Sequence, residues 1–467
     1  MTTATRLSPE RIVARMRPQE RKRHLKATNA FQRGDLITAA RHWERLVSHP
    51  TAGLLARYGL AMVAHHARQH RWAIATLEQV VTDEPGFDLA WYNLGTIRQH
   101  VADYAGAEVA LRETARLNPD FAAARTNLGN ALLGQGRHAE ALAVFDEALR
   151  HPTPDIEARW NRSHALIATG RWLEGWAEYE ARWGLPGFVV QNRYHHPSEV
   201  YTGQDLHGKR VIVLEEQGYG DLIMTLRFDR DLRAMGAAEV TWAVRPELVR
   251  LVRSAGLRAV DINQHGNEAP ADYNMSCMSL MRWTRVTPAR MPRASGYLHA
   301  TARRPPGTGL RVGICWEGSP IHRDNGNRSL PKSALGTLQK FDLGGVSWIS
   351  LCRDGWRPEL ADAGLVDGLT GVTDWQDTAH RIAGLDLVIT VDTAIAHLAG
   401  ACNVPVWILL AAVPDMRWGL QSSTTPWYRS ARLFRQTIGG DWTPVIEQVG
   451  AQLGALLTQH THERIAA

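Results

Sequence analysis

Between residues 20 and 183 the apolar positions recur at helical spacing, in stretch after stretch. The stretches "AWYNLGTIRQHVADYAGAEVALRETARLNP" and "ARTNLGNALLGQGRHAEALAVFDEALRHP" align with one another. Ala39, Ala73, Ala107 and Ala141 fall 34 residues apart, as do Asn93, Asn127 and Asn161, and Pro85 and Pro119. Small residues at a fixed period let two helices cross closely, and Pro ends the second helix of a pair. Five such units, beginning near 20, 54, 88, 122 and 156, fit without gaps. The pattern predicts helix pairs stacked into a solenoid with a concave binding face. After "EYEARWGLPG" it breaks. Residues 184–209 hold Pro, Gly, His and Tyr without a period and read as a linker.

A different alternation follows. Short apolar runs, "KRVIVL", "EVTWAV" and "RAVDI", are separated by helical stretches. After "RRPPGTG" at 303–309 the alternation restarts with "LRVGICW", "VSWISL", "LDLVITVD" and "VPVWILL". Strands alternating with helices imply a parallel sheet covered on both faces. Two such units split by a Pro/Gly hinge predict twin Rossmann-like domains with a cleft between them. The boundaries follow as a polar tail at 1–19, repeats at 20–185, a linker at 186–209, and α/β domains at 210–305 and 306–467.

A chain of 467 residues is long enough for two or three domains. Its net charge of +6 is spread out except for "RMRPQERKRH", which reads as a solvated helix face, so no nucleic-acid partner is expected. The four cysteines form no C-x-x-C pair, which points to a reducing compartment and away from a structural zinc site. The start of the chain is polar and Arg-rich, and no apolar stretch reaches the roughly 18 residues of a span. Composition therefore predicts a cytoplasmic protein without membrane insertion. His66 and His70 stand one turn apart in "HHARQH", and with no third ligand in view they too read as a solvated face. No metal and no cofactor is expected.

Candidate chemistry gathers where strands end. In open parallel sheets, ligands sit beyond the carboxyl ends of the strands. "LDLVITVDTAIAHLAG" leaves a strand through Asp392 and Thr393 and begins a helix at Ala394. Asp392 is expected to cap that helix, with the Thr393 hydroxyl and the free N–H groups of the first turn offered to a phosphate. His397 follows one turn later on the same face. "EEQGYGDLIM" repeats the arrangement in the first unit: Gly218 and Gly220 permit a tight or positive-φ turn, and Asp221 opens the next helix. Asp221 then faces the cleft as a candidate general base. The loop "EGSPIHRDNGNRSLP" supplies His322, Arg323 and Arg328 as phosphate partners. For each turn an ordinary helix cap is the alternative reading, and for the loop a solvated surface. "DRD" at 229–231 falls inside a predicted helix, which removes it as a metal-binding D-x-D. No G-x-S-x-G, P-loop or H-E-x-x-H motif is present, which disfavours α/β-hydrolases, P-loop nucleotidases and zincins.

The 34-residue period, with Trp91, Leu94, Gly95, Ala107, Leu111 and Pro119 in one copy, resembles the tetratricopeptide (TPR) repeat. "GYGDLIM", "WEGSPIHRDNGNRSLP", "LDLVITVDTAIAHLAGACNVPVWILL" and "VPDMRWGL…PWYRSARLFRQ" extend the resemblance. Together they are similar to bacterial TPR proteins with a C-terminal GT-B glycosyltransferase domain. That domain resembles the heptosyltransferases of glycosyltransferase family 9 and, more distantly, the TPR-bearing protein O-GlcNAc transferases. The resemblance implies an all-α TPR solenoid followed by a metal-independent GT-B transferase of two Rossmann-like domains. It implies a nucleotide-sugar donor, with Asp221 as catalytic aspartate and Asp392, Thr393 and Ala394 as the donor-binding turn. His322 and Arg328 fall where relatives offer charge to phosphate, and Ser350 to Arg353 where they hold the nucleoside. Asn93 and Asn127 are candidates for acceptor contact on the concave face. The acceptor so implied is a protein hydroxyl, such as a Ser or Thr of a flagellin-like or other surface protein. An inactive nucleotide-sensing scaffold and a lipopolysaccharide or glycan transferase are the alternatives. Three segments depart from the family pattern: "LEEQGYGD" for G-E-Q-G-L-G-D, "RDNGNRS" for N-D-R-N-R-S and "SLCRD" for S-L-Q.

Overall fold

A computed structural model describes residues 6–151, 155–185, 188, 196–264, 268–292, 295–301, 309–322, 325–339, 345–353 and 364–466. Its contacts divide the chain into two compact units, 1–166 and 167–467.

The first unit is helical. After α1 (Pro9–Arg15), which lies within the stretch read as a tail and buries Ile12, come α2 (Pro18–Gln32) and α3 (Leu36–Glu44). The pairs α4 (Gly53–His66) with α5 (His70–Asp83), α6 (Asp88–His100) with α7 (Tyr104–Leu117), and α8 (Ala122–Gly134) with α9 (His138–Leu149) follow. Then comes α10 (Ile156–Ala168). The first helix of each pair starts within two residues of the positions the period predicts. The Ala series is fully buried, as close crossing requires. A Cβ on Gly95 would lie 2.6 Å from Leu111 Cγ, and one on Gly129 would lie 2.4 Å from Phe145, so the crossings have no room for a methyl group.

The second unit opens with α11 (Trp172–Tyr179) and builds two parallel sheets. The first has the order β1-β5-β2-β3-β4, from β1 (Glu199–Val200), β2 (Arg210–Leu214), β3 (Glu239–Val244), β4 (Arg258–Asp261) and β5 (Tyr273–Ser276). The second has the order β11-β10-β9-β6-β7-β8. It is made of β6 (Leu310–Cys315), β7 (Val346–Ser350), β8 (Leu365–Asp367), β9 (Leu387–Val391), β10 (Val406–Leu410) and β11 (Ala431–Arg435). Every pairing is parallel. In the first sheet the chain winds outward from β2 and then returns to its other side at β5. In the second it does the same from β6 to β9. These are the switch points where strand ends part and ligands bind. The central strands are buried on both faces, which is why they read as continuous apolar runs.

Residues 167–185, read as the end of the repeats, pack into this second unit. Arg182 is fully buried and holds Glu216 with two hydrogen bonds of 2.8 Å, from Nε and Nη2. Its Nη2 also donates to Ser279 Oγ, and its guanidinium lies 4.7 Å over the Tyr179 ring. Trp172 stacks on Trp427 at 5.2 Å. The "EYEARW" segment is thereby part of the α/β core.

Candidate active site

The two switch points face each other through two helix starts. The helix Tyr219–Thr225 begins after β2, and the helix Ala394–Ala401 begins after β9. Gly220 makes the approach possible. A Cβ there would sit 2.7 Å from His397 Cδ2 and 3.3 Å from Ala394 Cα. The expected positive-φ role of Gly218 and Gly220 is not what the structure uses. Gly218 is extended at φ −92°, and Gln217 takes the left-handed turn at φ 65°. The glycine at 220 is required by the neighbouring helix, not by its own backbone.

Asp221 is buried and uses both oxygens. Oδ2 accepts from the Gly218 N–H at 2.9 Å, capping its helix. Oδ1 lies 2.7 Å from Arg417 Nη1 as an ion pair without an aligned hydrogen bond. Arg417 turns its Nε to Asp415 Oδ1 at 2.7 Å. Its Nη1 also reaches His397 Nε2 at 3.5 Å, while His397 Nδ1 meets Tyr428 Oη at 2.8 Å. Burial, and next the Arg417 charge, hold the His397 imidazole well below its usual range. A neutral ring beside a guanidinium accepts at Nε2, so Nδ1–H donates to Tyr428. Trp418 stacks on the same ring at 5.3 Å. A Cβ on Gly400 would fall 2.3 Å from Tyr428, so that ring too is seated directly on the helix.

The Asp392–Thr393 turn differs from the expectation. Thr393, not Asp392, is the N-cap of the Ala394 helix, and no side chain caps it. Thr393 Oγ1 instead shares a 3.1 Å hydrogen bond with Thr390 Oγ1. The Ala396 N–H donates to Thr393 O at 3.0 Å, and the Ala394 and Ile395 amides, with no bond among the described residues, are left to a ligand or water. Asp392 is half-buried, and its pKa is pushed up to about 6, first by burial and then by the nearby Asp415. The charges of Arg417 and Arg328 pull the other way. Arg328, at the end of the helix Asn325–Arg328, thus belongs to this cluster. It lies so close to Gly318 that a Cβ there would meet Nη2 at 2.4 Å.

The other predicted residues are placed less centrally. Ser350 is fully buried, and its Oγ accepts from the Cys352 N–H at 3.4 Å. His322 and Arg353 are exposed, and Arg323 lies outside the described residues. In the first unit, Asn93 Nδ2 donates to Tyr58 Oη and Leu89 O, each at 2.8 Å. Asn127 Nδ2 donates to Tyr92 Oη at 3.1 Å. Both asparagines tie one repeat to the tyrosine of the repeat before. His66 and His70 also have company: His65 Nδ1 lies 3.1 Å from His70 Nδ1. Among the described residues no group of three or more His, Cys, Asp or Glu is placed to hold a metal ion. No helix among them is long and apolar enough to cross a membrane. "DRD" is helical as expected, with Asp229 accepting from Trp242 Nε1 at 3.0 Å.

Arg417, Asp415, Tyr428 and Arg227 were not singled out from sequence. Arg227 is buried and, among the described residues, has no carboxylate in contact. It donates to Met224 O, Trp427 O and Tyr297 Oη, and lies 4.6 Å from the Tyr297 ring centroid and 4.9 Å from that of Tyr428. Arginines far from any recognised turn give no local signal.

Comparison with known proteins accords with this architecture. Residues 92–155 match the tetratricopeptide repeat, and residues 360–441 match glycosyltransferase family 9 (heptosyltransferase). The chain is a TPR-containing, glycosyltransferase-like protein. Protein FlbA of Caulobacter vibrioides is 28% identical over 313 residues, 60% of this chain and 52% of that protein. The TPR-containing chain thus spans about half the length of that curated relative. Among solved structures, MamA from Desulfovibrio magneticus is 15% identical, with a TM-score of 0.32, covering 38% of this chain and 99% of that one. YrrB, a TPR protein with an unusual peptide-binding site, is 18% identical, with a TM-score of 0.31, covering 34% of this chain and 82% of that one. The family 9 match spans the Asp392 turn and the Arg417 loop of the glycosyltransferase-like unit.

Proposed function

We propose that the protein transfers a sugar from a nucleotide-sugar donor to an acceptor, a protein hydroxyl brought by the repeat array. The observation that carries this reading is the pair of opposed helix starts, with Asp221 on one and the uncapped Ala394 turn on the other. The Ala394 and Ile395 amides, the Thr393 hydroxyl and Arg328 suit a donor diphosphate at the β6/β9 switch point. Asp221 suits the general base. Each carboxylate oxygen has two lone pairs, so its contacts to Gly218 and Arg417 leave acceptor capacity for a hydroxyl proton. His397 is a positioning residue in this scheme, because both ring nitrogens are engaged within the protein. Asn93 and Asn127 keep side-chain carbonyl oxygens that are unbonded among the described residues for an extended acceptor segment.

A nucleotide-sensing scaffold is the second reading. Arg417 occupying Asp221, and Asp415 beside Asp392, favour it: the first ties the candidate base to a cation, and the second puts negative charge where a diphosphate would approach. Full-length protein incubated with a panel of nucleotide sugars separates the two. The transferase reading expects nucleotide release, lowered about 10²–10⁴-fold in Asp221→Asn while the melting shift caused by bound nucleotide persists. Near-normal release by that variant, or no melting shift with any nucleotide at millimolar concentration, overturns it.

A further inference from the structure

The turn that ends β6 carries a feature the transfer reaction does not use. Cys315 closes β6, and Cys352 lies two residues beyond β7. They are 37 residues apart in sequence, yet their sulfurs are 3.6 Å apart, and both are buried. Parallel pairing of Ile314 with Ser350 brings them together. Cys352 stands in the "SLCRD" segment, at a point where this chain departs from the pattern it otherwise resembles. The pair touches the candidate donor turn directly: Thr393 Oγ1 approaches Cys315 Sγ at 3.9 Å. The Trp316 N–H donates to Cys352 Sγ at 3.3 Å, and Cys315 Sγ donates to Glu317 O at 3.4 Å, so residues 316 and 317 wrap both sulfurs.

We infer that Cys315 and Cys352 form a thiol–disulfide couple whose closure disturbs the Thr393 turn, with a low-molecular-mass disulfide as the oxidant. The two sulfurs are electrostatically unequal, as such a reaction needs. The Cys352 thiol, followed by the hydroxyls of Thr393 and Thr390, holds the Cys315 thiol below its usual range against burial. Burial pushes the Cys352 thiol well up. A sulfur with more thiolate character attacks first, and its neighbour resolves. The Cys315 thiolate attacks one sulfur of the small disulfide, whose S–S bond breaks and releases one small thiolate. The Cys352 sulfur, giving up its proton, then attacks Cys315 Sγ and expels the second. Each departing thiolate takes up one proton. The protein loses two electrons and two protons, and the oxidant becomes two thiols. Closure draws the sulfurs from 3.6 Å to a bond of about 2.05 Å. Cys315 Sγ then leaves Thr393 Oγ1 and the Glu317 carbonyl, and the uncapped start of the Ala394 helix loses a support. Cys277 contacts the Glu216 carbonyl, and Cys402 ends the Ala394 helix.

The experiment uses full-length protein, reduced or treated with oxidised glutathione. The oxidised wild type is expected to weigh less by two hydrogens and to yield a Cys315–Cys352 linked peptide on digestion. Cys315→Ser and Cys352→Ser should yield no such loss. Hydrogen exchange over residues 391–397 should rise in the oxidised wild type and stay unchanged by the treatment in Cys315→Ser, which lacks the attacking thiol. Retention of all four thiols by the wild type, a different linked pair, or a closed disulfide with unchanged exchange at 391–397 overturns the inference. Neither readout requires donor or acceptor, so failure here is distinct from failure of the transfer assay.

Discussion

Asp392 shows how one side chain carries a cost that only its setting reveals. Its folded-state pKa of about 6 lies above the ordinary carboxyl value, because burial and Asp415 oppose its charge. A carboxyl raised in this way favours the folded state fully below pH 4. That contribution is lost as pH rises through about 6, and amounts to on the order of 3 kcal/mol at most. Asp392→Asn removes the titration. Its melting temperature should exceed that of the wild type at pH 7.5, and the two should converge near pH 4. A wild type whose stability rises between pH 4 and 6 relative to the variant would contradict the raised pKa. Sequence showed the Asp-Thr turn but not which residue caps the helix, because capping depends on where the carboxylate finds its best neighbours. Arg417 was invisible for the same reason. Its partners Asp221 and Asp415 are far away and next door, respectively, and only folding brings the two onto one guanidinium.

Among the elements, the long apolar strands and the 34-residue helix pairs were readable because burial on both faces, or a close crossing, imposes a pattern. The strands β1, β5, β8 and β11 were not. β5 is "YNMS", whose Asn274 side chain donates to Ser198 O at 2.7 Å, a polar tie inside a short strand. The two helix starts make a sharper statement about glycine. Gly220→Ala gains roughly 1 kcal/mol of helix propensity but must push a methyl group against His397 and Ala394. Overpacking of that kind costs about 1–3 kcal/mol, so net destabilisation is expected in urea unfolding. Gly218→Ala meets only Asp221 Oδ2, at 3.1 Å, and should cost less. Equal effects at the two positions would mean that the helices do not press together there.

Across the whole molecule, the repeat asparagines have two duties to separate. Each ties its repeat to a tyrosine of the one before, and each retains an unbonded carbonyl oxygen among the described residues. Losing one tie costs about 1 kcal/mol. The double variant Asn93→Ala, Asn127→Ala should therefore melt slightly lower, bind nucleotide normally, and lose modification of its native acceptor. Folded double variant that modifies the acceptor at the wild-type rate would leave the asparagines as inter-repeat ties alone.

The Arg182–Glu216 pair bears on how such a chain is inherited. A module is exchangeable only if its seam cuts through water. The stretch that looks like the last of the repeats has a cation fixed inside the α/β unit, matched to a carboxylate that has no surface to retreat to. An exchange at residue 185 would strand that carboxylate, at a cost on the order of 3–5 kcal/mol. Repeats before residue 167 can be gained, lost or replaced without touching that pair. The final turn before the sheets stays with the sheets, as a graft that has become rootstock.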